Sequence, residues 1–476
     1  MTLQFDPQDI ERFKADIRGI PGYPLGEELP IRAMVFERDA LARLPELLAL
    51  AGITTDQQLS VVMDRTPMKR EGKELKPLLL EVLRNAGWQP EVIWLEPDST
   101  GQVHTDFSQI NSVKARLRSN AAVLSVGSGT VTDIAKHACH IYQQEQNLPS
   151  LPFVVYQTAN SVSAYTSNMA PTFVDGVKRT LPSRYPDVLV CDLKTLRDAP
   201  QAMTVAGVGD LLAAFGSYAD WWLAHRLGMD STYTEFAQTL MGPLDEIFLD
   251  QAEGIKTGTL ESMSVLAKLI ALAGIAMSLS HATAPLSGYE HVISHVLDLV
   301  AERTPRPLAQ HGTQVALATL LTTSAYQIFF DEFEPAEINL ESCYPTEAQM
   351  RSRIEASFQS LDPSGRVGAE CWSDYKIKLE SWHAHRAEFE AVLRDWSTVR
   401  DELRTLVKPP DVATHILHAV SSPARWDDLV PAPAKAEVQF AFMNAPLIRH
   451  RFTLGDLLVF LQWDREALWT QVSKNL

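Results

Sequence analysis

The chain has 476 residues, of which 46% are hydrophobic and 21% charged, a composition typical of a folded globular protein. Because a single hydrophobic core stops growing at roughly 250–300 residues, this length predicts two domains. The net charge of −17 argues against nucleic acid or an anionic membrane surface as a partner, since both are bound by basic surfaces. We therefore expect neither partner, and we expect local donors to bind any anionic substrate.

The cysteines and the N-terminal residues both indicate a cytoplasmic protein. The four cysteines are far apart and form no CxxC pair, as is typical of reduced thiols in a cytosol. The N-terminal sequence, MTLQFDPQDIERFK, has neither the basic nor the apolar region of a signal peptide. No stretch is expected to combine the length and the uniform apolarity of a membrane span.

Short apolar runs in the first 200 residues predict β-strands, at 31–36, 59–64, 91–97, 121–127, 152–157 and 187–192. Several intervening segments place apolar residues three and four positions apart, which predicts helices. Alternating strands and helices are typical of a parallel, doubly wound sheet, and helical patterns dominate after Pro200. We predict an α/β protein with an N-terminal Rossmann-like parallel-sheet domain (1–200) and a C-terminal all-helical domain (201–476).

A glycine-containing turn, Gly127-Ser128-Gly129-Thr130, separates the fourth predicted strand from a helix. Glycine permits a tight turn and a close approach of the backbone to a ligand, and the N–H groups of the following helix face an anion. The turn therefore predicts a nucleotide or a phosphorylated ligand. The motif is weak by itself, because strand-to-helix turns that bind nothing also contain it.

Polar groups at two other strand ends add to this prediction, because ligands of open α/β sheets bind there. Asp64 ends the second predicted strand, where a carboxylate bonds ribose hydroxyls and repels a 2′-phosphate, favouring NAD over NADP. Capping of the next turn is the alternative for Asp64. The segment 157–168 has mostly hydroxyl and amide side chains, which suit a polar ligand but also occur in turns without one.

Asp210, His291 and His311, in the helical half, are the residue types of a divalent metal site with an open position. Zinc or ferrous iron would fit this set. The three residues are far apart in sequence, and a single helical histidine is more often structural than a ligand. His295 lies one helical turn after His291 and would face the same site.

Several segments follow one another along about residues 30–320: VGSGTVTDIAK, QTANSVSAYTSNMAP, VDGVKRTLPSRYPDVLVCDLKTLRDAP, GVGDLLAAFGSYADWWLAH, SGYEHVISH and HG. This succession resembles the glycerol-1-phosphate dehydrogenase branch of the iron-containing alcohol dehydrogenase and dehydroquinate synthase superfamily. The resemblance implies a dehydroquinate synthase-like fold with an NAD(P)-binding domain, a helical domain and a catalytic divalent ion. The implied cofactors are NAD(H), with NADP(H) as the alternative, and one Zn²⁺ or Fe²⁺.

The resemblance also implies roles for individual residues. Gly127, Gly129 and Thr130 fall on the pyrophosphate loop, and Thr158 and Ser161 fall on the nicotinamide side of the nucleotide. With the additions made from the sequence, the predicted cofactor-binding residues are Asp64, Gly127, Ser128, Gly129, Thr130, Asp133, Thr158 and Ser161. The metal ligands of the family fall on Asp210, His291 and His311.

The chain departs from the family pattern near the implied substrate. Where many members read Pro-Thr-x-x-Ser-x-Asp-Gly, it has Gln157 for the proline and Ser163-Ala164 for Asp-Gly. A hydroxyl in place of this aspartate changes the charge of the site and the number of protons it can exchange. The identity of the substrate is therefore left open. We assign no counterpart in the family to residues from about 331 onward; a lid, an oligomer interface or a different substrate pocket would account for them.

We predict a metal-dependent, NAD(H)-linked oxidoreductase that reduces a small ketose or ketose phosphate, as the family reduces dihydroxyacetone phosphate to glycerol 1-phosphate. The ion would stabilise the alkoxide charge that develops on the substrate. His295 is a candidate proton relay, and Lys178 is a candidate partner of a substrate phosphate, with a structural histidine and a solvated lysine as the alternatives. The predicted catalytic residues are Asp210, His291, His295, His311, Ser163 and Lys178.

Two alternatives remain open. A redox-neutral sugar-phosphate cyclase or lyase would use NAD transiently, although the additional basic residues usual around its metal are not evident. A catalytically inactive binding or scaffold homologue is favoured by Ser163 and opposed by the retention of all three metal ligands. We expect a small phosphorylated or polyol substrate and a homo-oligomer, since paired faces in this fold often dimerise.

Overall fold

Two compact units make up the part of the chain that the computed structural model describes, residues 3–174, 176–304 and 306–475. The sheet unit contains the described residues up to Val174, together with 178–211 and 235–279. The helical unit contains 212–234 and the described residues from 280 onward, together with Gly176 and Val177. These units differ in their bounds from the predicted domains, because 201–211 and 235–279 lie in the sheet unit.

Ten strands occur in the described residues: β1 (Ala33–Glu37), β2 (Gln58–Met63), β3 (Lys69–Arg70), β4 (Lys73–Glu74), β5 (Glu91–Trp94), β6 (Ala121–Gly127), β7 (Phe153–Gln157), β8 (Met169–Val174), β9 (Val177–Pro182) and β10 (Val188–Asp192). Six of them form one sheet in the order β1-β10-β7-β6-β2-β5, in which every neighbouring pair is parallel. All six were predicted, because strands covered on both faces read as apolar runs. The two-stranded sheets β3-β4 and β8-β9 were not predicted, since their strands are short or mixed in polarity.

The described α-helices are α1 (Ile10–Arg18), α2 (Leu44–Leu50), α3 (Leu75–Asn85), α4 (Phe107–Lys114), α5 (Gly129–Glu145), α6 (Leu193–Asp198), α7 (Gln201–Leu211), α8 (Ala214–Arg226), α9 (Phe236–Met241), α10 (Leu244–Thr257), α11 (Leu260–Leu279), α12 (Tyr289–Arg303), α13 (His311–Glu332), α14 (Glu347–Gln359), α15 (Arg366–Ala384), α16 (Arg386–Arg394), α17 (Trp396–Leu406), α18 (Pro410–Ala419), α19 (Lys435–Asn444), α20 (Leu454–Phe460) and α21 (Arg465–Val472). Helix α8 and helices α12–α21 belong to the helical unit. Apart from the undescribed residue 305, the chain from 201 to 475 contains no strand, so the predicted change from alternating to helical structure is confirmed.

Two helical stretches reach the length and mean hydropathy of a membrane span, which the sequence analysis did not expect. They are Gln201–Arg226 and Leu260–Leu279, and the most apolar windows of the two are 89% and 83% buried. Core helices of globular proteins meet the same criteria of length and composition. The two stretches are therefore only weak indications of a membrane span.

A buried ion pair anchors the loop 445–453, which connects α19 to α20 in the helical unit. The ammonium of Lys378, on α15, pairs with the carboxylate of Asp456, on α20, and the two side chains are 0% and 1% exposed. Lys378 Nζ also donates to the carbonyl oxygen of Pro446 at 2.6 Å. Asp456 in turn accepts from the backbone N–H and the hydroxyl of Thr453, each at 2.9 Å. The two ends of the loop are thus held by one buried, hydrogen-bonded charge pair.

Lys378→Ala is expected to lower the free energy of unfolding of the helical unit by about 3–5 kcal/mol, because it leaves the carboxylate of Asp456 buried without its counter-ion. Urea unfolding followed by tryptophan fluorescence measures this loss, since all tryptophans except Trp88 and Trp94 lie in the helical unit. The matched control is Lys376→Ala on the same helix, whose side chain is 42% exposed and which should cost about 0–1 kcal/mol. Equal, small effects of both substitutions would contradict the anchoring role.

Candidate active site

The predicted nucleotide turn lies where β6 meets α5 in the sheet unit. Strand β6 ends at Gly127, Ser128 is the N-cap residue, and the 17-residue helix α5 begins at Gly129. The first N–H groups of a helix have no carbonyl acceptor within it, and they carry the positive end of its dipole. The turn therefore presents backbone donors suited to an anionic group such as a pyrophosphate.

The two glycines of this turn are required for a different reason from the one that the sequence suggested. Neither is among the glycines with a positive φ, so neither adopts a left-handed turn conformation. A Cβ at Gly127 would instead collide with the side chain of Val131, and one at Gly129 with that of Val162. Close packing of the strand, the helix and the following polar segment therefore excludes larger residues here.

The polar segment 157–168 follows β7, and much of its hydrogen bonding is internal. The backbone N–H of Thr158 donates to the Gly127 carbonyl at 3.1 Å, which joins the segment to the nucleotide turn. The Ser161 hydroxyl lies 3.2 Å from the Tyr165 hydroxyl. Thr158 and Ser161 are 1% and 4% exposed. The structure thus places Thr158 beside the turn, and Ser161 in the same buried and locally hydrogen-bonded segment.

Asp64, at the end of β2, has protein partners on both carboxylate oxygens. Lys76 Nζ lies 2.6 Å from Oδ1, and the Thr66 hydroxyl donates to Oδ2 at 2.6 Å. Lys76 Nζ also donates to the backbone carbonyl oxygens of Asp64 and Thr66, each at 2.6 Å. The alternative that Asp64 stabilises the next turn is therefore supported by its contact with Thr66. The ion pair with Lys76 was not predicted from the sequence. A carboxylate oxygen accepts more than one hydrogen bond, so a ribose contact is compatible with this arrangement.

Asp133, in the second turn of α5, forms a buried ion pair that the sequence analysis did not anticipate. Its Oδ1 lies 2.8 Å from Lys136 Nζ, which also donates to the Ala164 carbonyl at 2.9 Å. Burial raises the pKa of Asp133, and the Lys136 ammonium opposes that rise. Lys178, on β9, is half-buried with its ammonium 5.8 Å from the ring centre of Phe173. The spacing of Asp133 and Lys136, three residues apart on a helix, was a signal available in the sequence.

Asp210, on α7, accepts two hydrogen bonds from Ser163, both on Oδ2. The backbone N–H of Ser163 donates at 3.0 Å and its hydroxyl at 3.1 Å. Asp210 is 4% exposed. One turn earlier, a Cβ at Gly207 would collide with the backbone carbonyl of Asn160, so glycine allows α7 to approach the polar segment closely. Ser163 therefore fixes the orientation of the Asp210 carboxylate.

Three imidazoles cluster in the helical unit. His291 and His295 lie one turn apart on α12, and His311 is the first residue of α13. The ring centre of His311 lies 5.3 Å from that of His291 and 5.5 Å from that of His295. The planes of His295 and His311 differ by only 4°, so these two rings are stacked. The structure thus brings together the three predicted histidines of the helical half.

The Nδ1 atoms of two of these imidazoles contact neighbouring side chains. His291 Nδ1 lies 3.1 Å from Glu290 Oε1, and His311 Nδ1 lies 2.9 Å from the Ser294 hydroxyl. Partners of this kind orient metal-binding imidazoles and leave Nε2 for the ion. The oxygen and nitrogen donors of Asp210, His291 and His311 suit zinc or ferrous iron. The residues present therefore fit the implied metal by their chemistry.

Behind His291 lies a buried acidic pair that sequence reasoning missed. Glu290 is 0% exposed and also accepts from the backbone N–H of Gly288 at 2.6 Å. Asp220, on α8, accepts from the Tyr326 hydroxyl at 2.6 Å and from the backbone N–H groups of Tyr289 and Leu454, each at 2.8 Å. Burial, followed by the nearby Glu290 carboxylate, raises the pKa of Asp220 to about 7.

Arg449, on the loop 445–453, is a further residue that sequence reasoning missed. Its Nη2 donates to His295 Nδ1 at 3.0 Å, and the residue is 6% exposed. The two residues are 154 positions apart in the chain, so no local pattern connects them. The C-terminal segment, which had no assigned role, thus contributes a cation to the imidazole cluster.

Asp220→Asn is expected to change the pH dependence of stability. Because the folded-state pKa of about 7 lies above the ordinary value of 3.8, the unfolded chain loses this proton first as the pH rises. The Asp220 carboxyl therefore makes the wild type progressively less stable, relative to the variant, between about pH 4 and pH 7. Urea unfolding at pH 5, 6, 7 and 8 measures the difference, with the exposed Asp331→Asn as a control for net charge. A difference that stays constant with pH would contradict the prediction.

Comparison with known proteins places these features in a family. Residues 35–200 match the family described as iron-containing alcohol dehydrogenase. The chain is 30% identical over 283 residues to a glycerol-1-phosphate dehydrogenase [NAD(P)+] of Bacillus licheniformis, an alignment that covers 59% of this chain and 67% of that protein. It is 29% identical over 321 residues to the enzyme of the same name from Bacillus subtilis, covering 66% of this chain and 75% of that protein.

The fold is similar to that of solved structures as well. A probable glycerol dehydrogenase from Sinorhizobium meliloti 1021 matches with a TM-score of 0.53 at 14% identity, over 93% of this chain and 98% of that one. This likeness supports the predicted fold of a parallel-sheet domain followed by helices. Its coverage extends into residues 331–476, to which the sequence analysis assigned no counterpart.

Proposed function

Because this chain belongs to the glycerol-1-phosphate dehydrogenase branch of the iron-containing alcohol dehydrogenase family, we propose that it reduces dihydroxyacetone phosphate to glycerol 1-phosphate with NADH. Membership of this family by itself makes the chain an NAD(P)-linked oxidoreductase. The substrate, the preferred nucleotide and the metal are our proposal.

The observation that carries the proposal is the imidazole cluster of the helical unit. His291 and His311 lie with their ring centres 5.3 Å apart, and each has an oxygen partner on Nδ1. Histidines oriented in this way are what a catalytic metal site requires. We propose that Nε2 of these two residues and the carboxylate of Asp210 hold one Zn²⁺ or Fe²⁺. Ser163, which donates twice to Asp210 Oδ2, would orient that carboxylate.

The nucleotide would bind with its pyrophosphate at the start of α5. The backbone N–H groups after Gly127 supply the donors, and Asp64 would favour NADH through a ribose contact, although Lys76 moderates its charge. When bound, the metal ion supplies a Lewis acid for the substrate carbonyl oxygen and the reduced nicotinamide supplies the hydride. The chain itself contributes position, and it contributes the proton.

His295 is suited to provide that proton. Its Nδ1 accepts a hydrogen bond from Arg449 at 3.0 Å, so the neutral imidazole carries its hydrogen on Nε2. We propose that Nε2–H hydrogen-bonds to the carbonyl oxygen and passes its proton to the alkoxide formed there. The imidazolate left behind would be stabilised by the Arg449 guanidinium on Nδ1, and a proton from solvent would restore the neutral ring. Stacking on His311 and the contact with Arg449 hold the ring in place for this transfer.

Removal of any one proposed ligand is expected to release the metal. After reconstitution with zinc or ferrous iron, the wild type should contain about one ion per chain and Asp210→Ala, His291→Ala and His311→Ala well below half an ion, as measured by mass spectrometry of the bound metal. His383→Ala is the control, because His383 is exposed and contacts the Pro345 carbonyl at 2.9 Å. Wild-type metal content in any of the three ligand variants would remove that residue from the proposed site.

The activity is tested by NADH oxidation with dihydroxyacetone phosphate and the metal-loaded protein. We expect turnover that is faster with NADH than with NADPH and that falls at least about 100-fold in Asp210→Ala, since the variant lacks the charge stabilisation that the ion supplies. Conversion of a sugar phosphate without net NADH oxidation would replace the proposal with the redox-neutral cyclase. Bound metal and bound NADH without turnover of any ketose phosphate would favour an inactive homologue.

A further inference from the structure

We propose that Asp298 is a positioning residue of the metal site. Acting through Gln314 and Ser294, it fixes the tautomer of His311 that presents an unprotonated Nε2 to the ion. This inference rests on the proposed function, because it deepens the role given there to His311. It assigns a function to a buried carboxyl group that the proposed mechanism does not use.

Four side chains from α12 and α13 form a continuous hydrogen-bonded chain in the helical unit. His311 Nδ1 lies 2.9 Å from the Ser294 hydroxyl, which also lies 2.9 Å from Gln314 Oε1. Gln314 Nε2 in turn lies 3.3 Å from Asp298 Oδ1. Ser294 and Asp298 lie one turn apart on α12. His311 and Gln314 lie one turn apart on α13, so each hydrogen bond crosses from one helix to the other.

The three side chains that support His311 are withdrawn from water. Ser294, Gln314 and Asp298 are 0%, 4% and 2% exposed. An unpaired polar group is costly in such surroundings, so each donor and acceptor needs a partner within the protein. The groups themselves, rather than solvent, therefore determine the direction of each hydrogen bond.

The carboxylate of Asp298 sets the direction of the whole chain. An ionised carboxylate only accepts hydrogen bonds, so it selects the orientation of the Gln314 amide in which Nε2 faces it. Gln314 Oε1 then faces Ser294 and can only accept, so the single hydroxyl proton of Ser294 is donated to it. The Ser294 oxygen is left to accept from His311. Nδ1 of that ring therefore carries the hydrogen, and Nε2 carries a lone pair.

The chain gives both proposed histidine ligands the same tautomer by different routes. Nδ1 of His291 lies 3.1 Å from the Glu290 carboxylate itself. Nδ1 of His311 is connected to a carboxylate through a hydroxyl and an amide, across three successive hydrogen bonds. Groups that orient a metal-binding imidazole in this way contribute about 10- to 100-fold to metal affinity. Asp298 would therefore affect metal binding without being a ligand.

A purely structural role for Asp298 is the alternative. The side chain would then only help to pack α12 against α13, and its replacement would lower stability without changing the tautomer of His311. The two roles differ in the metal-free protein. There the neutral His311 ring carries its hydrogen on Nδ1 if the chain is directional, and on either nitrogen if it is not.

The first test is the tautomer of His311 in the metal-free, full-length protein at pH 8. It is read from imidazole nitrogen chemical shifts after labelling with ¹⁵N-histidine, and the His311 signals are identified by their loss in His311→Ala. We expect the Nδ1–H form in the wild type. In Asp298→Asn the new amide can donate to Gln314 and reverse the chain, so we expect the Nε2–H form to appear. An Nε2–H ring in the wild type, or an unchanged tautomer in Asp298→Asn, would overturn the inference.

The second test is zinc affinity, measured by competition with a chromophoric chelator. Asp298→Asn and Ser294→Ala should each weaken zinc binding about 10- to 100-fold. Because Asp298 acts through Ser294, the double variant should bind zinc no more weakly than Ser294→Ala alone. Single effects that multiply in the double variant would contradict the inference.

The matched control is Thr323→Val, which removes a fully buried hydroxyl from the same helix α13. This hydroxyl donates to the Thr319 carbonyl at 2.8 Å. The substitution should change neither the zinc affinity nor the tautomer of His311. If Asp298→Asn does not fold, Gln314→Met interrupts the chain at its middle and is judged by the same two measurements.

These measurements distinguish the inference from the proposed function. If the wild type binds zinc and has the expected tautomer but oxidises no NADH with dihydroxyacetone phosphate, the inference stands and the proposed reaction fails. If turnover is as proposed while the metal-free His311 ring carries its hydrogen on Nε2, the reaction stands and the inference fails. A wild type that binds no metal would overturn both.

Discussion

The full burial of Glu290 is the constraint on which the imidazole cluster depends. A carboxylate with no exposed surface is costly unless donors and cations surround it. The backbone N–H of Gly288 and Nδ1 of His291 contact one of its oxygens, and the guanidinium of Arg451 interacts favourably with its charge. The need to compensate Glu290 therefore fixes the ring of His291. A divalent ion on Nε2 of that ring would bring a further positive charge close to the buried Glu290 carboxylate.

The C-terminal segment completes this arrangement, because both arginines near the cluster come from the loop 445–453. Arg451 interacts electrostatically with the buried acids Asp220 and Glu290, while Arg449 contacts His295. These contacts connect the segment after residue 331 with the imidazole cluster. The buried pair of Lys378, on α15, and Asp456, on α20, is one charged link that holds this loop in place.

The sequence predicted those features that depend on residues close together in the chain. Apolar runs identified the six strands of the main sheet, and the four-residue spacing of His291 and His295 placed both on one face of α12. The sequence also located the nucleotide turn, but it attributed the two glycines to the conformation of the turn. In the structure they are required because a side chain there would collide with Val131 or Val162. Arg449 was out of reach, because 154 residues separate it from His295 and no periodicity encodes a contact between two loops or helices so far apart.

The exchange of aspartate for Ser163 connects the departure from the family pattern to the substrate. An aspartate at this position would bring a second negative charge beside Asp210, whereas Ser163 donates both its backbone N–H and its hydroxyl to Asp210 Oδ2. The proposed metal site then has a single carboxylate ligand and two neutral imidazoles, which leaves the charge of a divalent ion only partly compensated. The guanidinium of Arg449 adds a positive charge beside His295. Compared with an aspartate at this position, Ser163 leaves one negative charge fewer beside Asp210, which would favour the anionic substrate of the proposed function.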